Sequence, residues 1–293
     1  LTDPSSRAMV NNQRIEVCYN VQFTVDSNKL ILDYEVTNDI KDGEHLSEMG
    51  KRAKQILEVE EIEVLADKGY YNSEEIKECV DNGITPYIPE PERTVSKEID
   101  IPKPEFYKGK FQYKEDKDVY VCPEGKELTY RNTAVHHRKK MRIYKSRECL
   151  DCPKMKFCTR NKNGRIIYRW EHEEVLEEMR ERVRREKEKV KLRNLLTEHI
   201  FGTMKRNFNQ GYFLMRGIDK VGGEMALTVL AYNIRRVLNI IDPDRLIAIM
   251  RVTSKRIFNN LEDIFTNLRH ILLKFRDLSF WWLKTTYSEG VYT

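Results

Sequence analysis

Three groups of residues have the types and spacing to do chemistry. The first centres on Asp67, which follows a short apolar run, Ile62-Glu63-Val64-Leu65-Ala66, that reads as a buried strand. Open α/β sheets hold ligands just past the carboxyl ends of their strands, and Gly69 lets backbone or substrate approach closely. The plain alternative is a turn aspartate that caps the following loop. The second group is Glu198 with Phe201 and Lys205, three and seven residues further on in a helical stretch. These offsets put all three near one face, where a carboxylate and a cation could hold a metal and a phosphate. The alternative is a surface glutamate with an ion-pair neighbour. The third group is Cys122, Cys149, Cys152 and Cys158. Cys122-Pro123-Glu124-Gly125 is a knuckle-like turn and Cys149-Leu150-Asp151-Cys152 has the two-residue spacing of a zinc hairpin, so four thiolates could close a structural Zn²⁺ site. His136 and His137 are alternative ligands, and reduced cysteines in a small β insertion are the alternative to a metal. Cys18 and Cys79 read as ordinary core cysteines.

The elements that must position these groups follow from local pattern. Val17 to Val25 and Leu30 to Val36 flank Asp26-Ser27-Asn28 and predict a β-hairpin. Leu46, Met49, Ala53, Ile56 and Leu57 recur at helical spacing. After the strand at Ile62 to Ala66, Ser73 is a candidate N-cap for a helix over Glu74 to Asn82 that Gly83 stops, and Ile84 to Ile88 is another strand. Hairpin, helix, strand, helix, strand argues for a mixed α/β sheet. A proline-bearing charged linker, Pro89 to Pro104, marks a boundary. Short β-like pieces fill Phe106 to Tyr168. Helical pattern resumes near Glu171 and runs to about Ile241, with breaks expected at Asn209-Gln210-Gly211, Gly217 and Gly222-Gly223. The predicted organisation is 1–91 for the first part of the core, 92–168 for the insertion with the four cysteines, 169–243 for the helical second part, and 244–293 for a helical tail carrying Phe280-Trp281-Trp282.

Composition sets limits on this. Of 293 residues, 40% are hydrophobic and 34% charged, which is polar for a globular chain but not disordered. The net charge of +5 is a mild excess, so its distribution says more than its size. Arg180 to Arg193 carries eight basic and three acidic residues, and His136 to Arg147 is basic with no acid. Such runs are either phosphate-binding surfaces or solvated faces. No run of 18 apolar residues predicts a membrane span. The start has no apolar signal core and no initiator Met, so the chain reads as a fragment or processed product, and six cysteines without an export signal point to a reducing cytoplasm.

Six motifs occur in one order: Asn20-Val21-Gln22 with Val25-Asp26; Glu35-Val36-Thr37-Asn38; Leu65-Ala66-Asp67-Lys68-Gly69-Tyr70-Tyr71; Gly83-Ile84-Thr85-Pro86-Tyr87-Ile88-Pro89; Glu198-His199-Ile200-Phe201-Gly202-Thr203-Met204-Lys205; and Leu230-Ala231-Tyr232-Asn233-Ile234-Arg235-Arg236. Over roughly Leu1 to Ile241 the chain resembles the DDE transposases of bacterial insertion sequences, in the group numbered eleven-eighty-two. Each motif alone is weak, but six in order are specific.

The resemblance implies an RNase H-like mixed sheet flanked by helices. Three catalytic acids would sit on the first strand, just after the fourth, and on a later helix. Asp67 takes the second place and Glu198 the third. Lys205 matches the lysine of the Y-R-E-K signature, while Lys191 stands at the tyrosine position and Arg193 one residue from the arginine position. The first acid falls on a strand upstream of Thr2-Asp3-Pro4-Ser5, so the chain is expected to be truncated ahead of it; Asp3 and Asp26 do not fit the role. The activity implied is DNA cleavage and strand transfer. Two Mg²⁺ (or Mn²⁺) ions about 3.5–4 Å apart would activate the nucleophile and stabilise the leaving oxygen, with Asp67 and Glu198 as ligands. The partners implied are the element's terminal inverted repeats, target DNA and a second copy of the chain in a synaptic dimer. Lys205, Arg206, Arg216 and Arg193 would contact phosphates; Tyr70 and Tyr71 could stack on a base near a flipped or hairpinned end, although packing is the commoner use of such residues. The alternatives are an inactive DNA-binding remnant of a decayed element and a nuclease of the same fold.

Overall fold

The computed structural model describes residues 3–11, 14–91, 101–208, 210–242 and 244–253, except the side chains of Asn11, Asn194, Leu195, Thr197 and Glu198. The chain divides into two compact units, Leu1–Ala226 and Leu227–Thr293.

The first unit opens with two antiparallel ribbons. β1 (Arg7–Asn11) pairs with β2 (Arg14–Cys18), and β3 (Asn20–Val25) pairs with β4 (Ile31–Thr37). The second is the predicted hairpin. Its turn closes as expected of an Asp turn, with the Leu30 amide donating to Asp26 Oδ1 at 2.7 Å and Lys29 left-handed at φ 65. The run expected as one strand from Val17 is broken at Tyr19, and its first half belongs to the β1–β2 ribbon. Alternation identifies a strand but not its partner.

α1 (Leu46–Leu57) buries Leu46, Met49, Gly50 and Ala53 on one face. Ile56 and Leu57, expected on that face, are exposed at the helix end. Gly50 lets α1 approach closely, because a methyl there would lie 2.9 Å from Ile84 Cδ1. β5 (Ile62–Leu65) and β6 (Ile84–Tyr87) are parallel neighbours joined through α2 (Ser73–Asp81). Asn72 rather than Ser73 caps α2, accepting from the Glu74 amide at 3.1 Å, and Gly83 turns the chain at φ +69. The fold is mixed α/β. The single mixed sheet expected from the element order is not formed among the described residues: β3–β4 and β5–β6 are separate ladders. Side chains and α1 tie them together instead.

β7 (Gln112–Lys114), β8 (Val119–Val121), β9 (Glu127–His136), β10 (Lys139–Lys145) and β11 (Ile166–Trp170) form a five-stranded antiparallel sheet in chain order. Its own small core is Phe111, Tyr120, Leu128, Tyr144 and Ile167. α3 (Met155–Cys158) lies between β10 and β11. α4 (Glu173–Arg185) then returns to the first elements, so Trp170, Leu176 and Met179 share one core with Leu46, Ala66, Ile76, Cys79, Ile84 and Ile88. Buried Glu173 at the start of α4 receives Lys108 Nζ and an Arg180 guanidinium nitrogen, each at 2.9 Å.

The helical stretch breaks at Glu186, where no break was expected, and α5 (Lys187–Asn207) follows. The loop around Gln210 and Gly211 is the expected interruption. There, Glu224 accepts the Leu214 and Met215 amides at 2.9–3.1 Å. Gly222-Gly223 does not break α6 (Ile218–Ile240), which runs straight through it. In the second unit, Leu227, Leu230, Ile234 and Leu238 of α6 are exposed. Residues 244–253 are helical, while Phe280-Trp281-Trp282 and the rest of the expected tail lie outside the described residues. Among the described residues no helix is long and apolar enough to cross a membrane.

Candidate functional site

Asp67 leaves the end of β5 in extended backbone, and its Oδ1 accepts the Gly69 amide at 2.7 Å. One oxygen therefore caps the turn, as the plain alternative held. The other faces Arg193, whose Nη1 lies 3.7 Å from Oδ2. Half of the Asp67 side chain is open to solvent (51%), so it remains available to a ligand.

Sequence reasoning missed the second carboxylate here. Asp42, in the loop between β4 and α1, points over the same glycine. A methyl added at Gly69 would lie 2.9 Å from Asp67 Oδ1 and 3.1 Å from Asp42 Oδ2, so the two oxygens are no further apart than the sum of those distances. Asp42 is held by two amides of β3: Asn20 Nδ2 donates to its Oδ1 at 2.7 Å and Gln22 Nε2 at 2.8 Å. Gln22 is only 2% exposed, and its carbonyl oxygen accepts the Tyr70 hydroxyl. Asn72 Nδ2 donates to the Gly43 carbonyl at 2.9 Å and locks the two loops together. A buried polar residue in a strand otherwise rich in apolar residues was the available signal, because buried polar groups need partners.

Tyr70 and Tyr71 are partly buried and pack against the main core, the commoner use of such residues. Burial raises both phenols above their ordinary value, and the Asp42 and Asp67 charges add to the rise at Tyr70. The basic run before Glu198 is also used largely within the chain. Arg182 donates to the Pro86 carbonyl at 3.1 Å, and Lys189 Nζ reaches Glu63 at 2.7 Å and Glu186 at 3.1 Å. These bonds fasten α4 and α5 to β5 and β6. Arg184, Arg185 and Lys191 keep most of their side-chain surface exposed. Lys205, Arg206 and Arg216 are exposed.

Glu198 lies on α5 between two anchors. Arg193 reaches Asp67, and the Phe201 ring sits 5.0 Å from that of Phe23 on β3. Ile200 and Met204, seven and eleven residues after Arg193 and so on its face of the helix, are buried. The expected approach of the Glu198 carboxylate to Asp67 lies outside the described residues. Asp3 and Asp26 are occupied as turn residues. Asp3 accepts the Tyr19 hydroxyl at 2.8 Å and the Gly217 amide at 3.2 Å, and Asp26 closes the hairpin.

Cys122, Cys149, Cys152 and Cys158 line one small cavity beside the five-stranded sheet, and all six cysteines of the chain are free. Burial pushes the Cys158 thiol up to about 11, Arg165 opposing, with Cys149, Cys122 and Cys152 contributing to the rise. His136 and His137 sit at the tip of the β9–β10 hairpin with their rings edge to face, and His136 stacks on Tyr168. They are thus removed from the cysteines by the length of β9, about 30 Å at ~3.3 Å per residue. Among the described residues, no three His, Cys, Asp or Glu side chains are drawn together tightly enough to hold a metal as they stand.

Fold and site together define a mixed α/β protein with a paired-carboxylate site at the end of a parallel strand and a cationic helix beside it. Residues 121–238 match the family model described as Transposase DDE domain. The matched segment contains Glu198, Lys205, Arg206 and Arg216; Asp67 lies ahead of it. No curated protein and no solved structure matches the chain significantly.

Proposed function

We propose that this chain carries the second and third acids of a Mg²⁺-dependent DNA transposase with an RNase H-like core. The observation that carries the reading is the meeting of Asp67, Asp42 and Arg193 at the end of β5, because Arg193 belongs to the helix that bears Glu198. Hard carboxylate oxygens, one of them on a half-exposed side chain, fit Mg²⁺, which keeps several waters and needs few protein ligands. Asp67 and Glu198 would hold the metal, which when bound activates a water or 3′-hydroxyl and stabilises the leaving oxygen. Asp42 adds negative charge beside Asp67, and Gln22 and Asn20 hold it in place. Arg193 neutralises Asp67 until the metal or a phosphate takes over that role. Lys205, Arg206 and Arg216 would hold the DNA backbone at salt-sensitive contacts.

In this reading the first acid comes from a strand ahead of Thr2, between β3 and β5, and would join the two separate ladders into one sheet. The substrates are an insertion sequence's terminal inverted repeats and its target DNA, cut by a pair of chains in the cytoplasm. The test is a cleavage assay on DNA bearing the element's ends, in Mg²⁺ and in Mn²⁺. It compares this chain with one extended upstream. Cleavage by the extended chain alone, abolished by Asp67→Ala and by Glu198→Ala, supports the proposal. DNA binding without cleavage by either chain would mark an inactive remnant. Cleavage by the chain starting at Leu1 would require the first acid to lie within it, with Asp42 the residue to change first.

A further inference from the structure

We infer that Cys122, Cys149, Cys152 and Cys158 form a structural zinc site that staples the five-stranded insertion. The four sulfurs come from four separate places: the end of β8, a 3₁₀ turn at Arg147–Cys149, the loop after it, and the last residue of α3. They nevertheless line one cavity of about 20 Å³. That is room for one water-sized body and little more, which suits a single ion.

The backbone around the cavity is arranged to receive thiolates. The Lys126 amide donates to Cys122 Sγ at 3.3 Å, and the turn that allows it is closed by the Gly125 amide on the Cys122 carbonyl at 2.9 Å, with Gly125 left-handed at φ +78. An amide aimed at sulfur is worth most when the sulfur carries charge. The second pair closes a turn of its own, the Cys152 amide donating to the Cys149 carbonyl at 3.3 Å, which brings two side chains to one side. A tetrathiolate zinc centre carries a net charge of about −2, since four thiolates outweigh one divalent ion. Lys126, Lys154 and Arg165 line the same cavity together with Glu124, and the excess of cations over the one carboxylate offsets that charge. Sulfur-only ligands select zinc over magnesium, so this site would not compete for the catalytic ion.

The insertion also needs such a staple. Its separate core contains five buried side chains, too few to hold five strands and long turns without help. Cys122 and Cys158 pack against that core, so metal bonds there would tie the turns to the sheet. Bound zinc would hold the four sulfurs in a tetrahedron at Zn–S distances of ~2.3 Å.

The experiment uses the whole chain, purified under reducing conditions and loaded with zinc. We expect about one zinc per chain by elemental analysis, because one four-thiolate set holds one ion. Titration with a mercurial should release it in step with the blocking of these thiols. Cobalt(II) in its place should give the visible absorption of a tetrahedral thiolate site. Cys152→Ser should lose the metal, and Cys18→Ser should keep it. A chain that takes up no zinc and exposes all four thiols to reagent would overturn the proposal, as would full zinc retention in Cys152→Ser. If Cys152→Ser fails to fold, the mercurial and cobalt measurements on the unaltered chain decide.

Discussion

Glu173 offers the sharpest test of how the five-stranded sheet is fastened to the main core. Its carboxylate is 4% exposed, with Lys108 Nζ and an Arg180 nitrogen each at 2.9 Å and the Trp170 amide at 3.2 Å. Lys108 precedes the sheet and Arg180 lies on α4, so one buried charge joins two parts of the chain. Breaking a buried pair by removing one partner costs about 3–5 kcal/mol. The cost here is smaller, because Lys108 is 42% exposed and returns to water, and Arg180 keeps Glu90 at 3.2 Å. We expect Glu173→Gln to destabilise the chain by about 2–3 kcal/mol, read as a lower urea midpoint at unchanged slope. Lys108→Met in the same background should recover part of the loss by removing the cation left without its partner. The pH dependence has a defined sign. Burial works to raise the Glu173 carboxyl, but Lys108 and Arg180 outweigh it and hold the group below its ordinary value of 4.5. A folded pKa below the unfolded one stabilises fully above the unfolded value, and that contribution fades as pH falls through the lowered one. The gap between the parent and Glu173→Gln should therefore be constant above about pH 5 and close in acid. A variant within about 0.5 kcal/mol of the parent at neutral pH would refute the reasoning, since changes that small are typical of uninvolved surface sites.

Three further outcomes are expected. Asp42→Asn should raise the Mg²⁺ needed for half-maximal cleavage by the upstream-extended chain about 10–100-fold, the usual cost of losing a residue that supports a metal ligand. An unchanged metal dependence would remove Asp42 from the site. Gln22→Leu strands the Tyr70 hydroxyl and frees Asp42, and should cost about 1–3 kcal/mol in chemical denaturation; a neutral result would mean that the amide positions nothing. Gly164→Ala places a methyl 2.6 Å from Cys149 Cβ at φ +87. The left-handed backbone alone costs about 1–2 kcal/mol, so melting should fall by several degrees and zinc uptake should weaken with it. Calorimetry and metal analysis on the same preparation would show whether the two losses travel together.

Much of the architecture was legible from local pattern. The β3–β4 hairpin, α1, β5, α2 and β6 fall where turn residues and periodicity put them, because those signals act between residues a few positions apart. The helix break near Gly211 and the short β pieces between Phe106 and Tyr168 were legible for the same reason. Asp67 could be singled out because a strand end followed by a glycine is a local feature. The Gly222-Gly223 pair shows the limit: it reads as a helix breaker, and α6 runs through it.

What the sequence by itself determined is the set of elements and the chemical types they carry: a strand-end acid, a helix acid, and four thiols at metal-site spacing. What only the tertiary structure decided is which of these meet. Asp42 reaches Gln22 across 20 residues, Tyr70 reaches the same glutamine across 48, and Lys189 reaches Glu63 across 126. Those pairings bring an unremarked loop aspartate beside Asp67, and fasten Arg182 and Lys189 of the basic run to β6 and β5. No local signal specifies them. The free energy of a charge or a buried amide depends on which partner folding brings within hydrogen-bond reach, and that is set by the packing of the whole core.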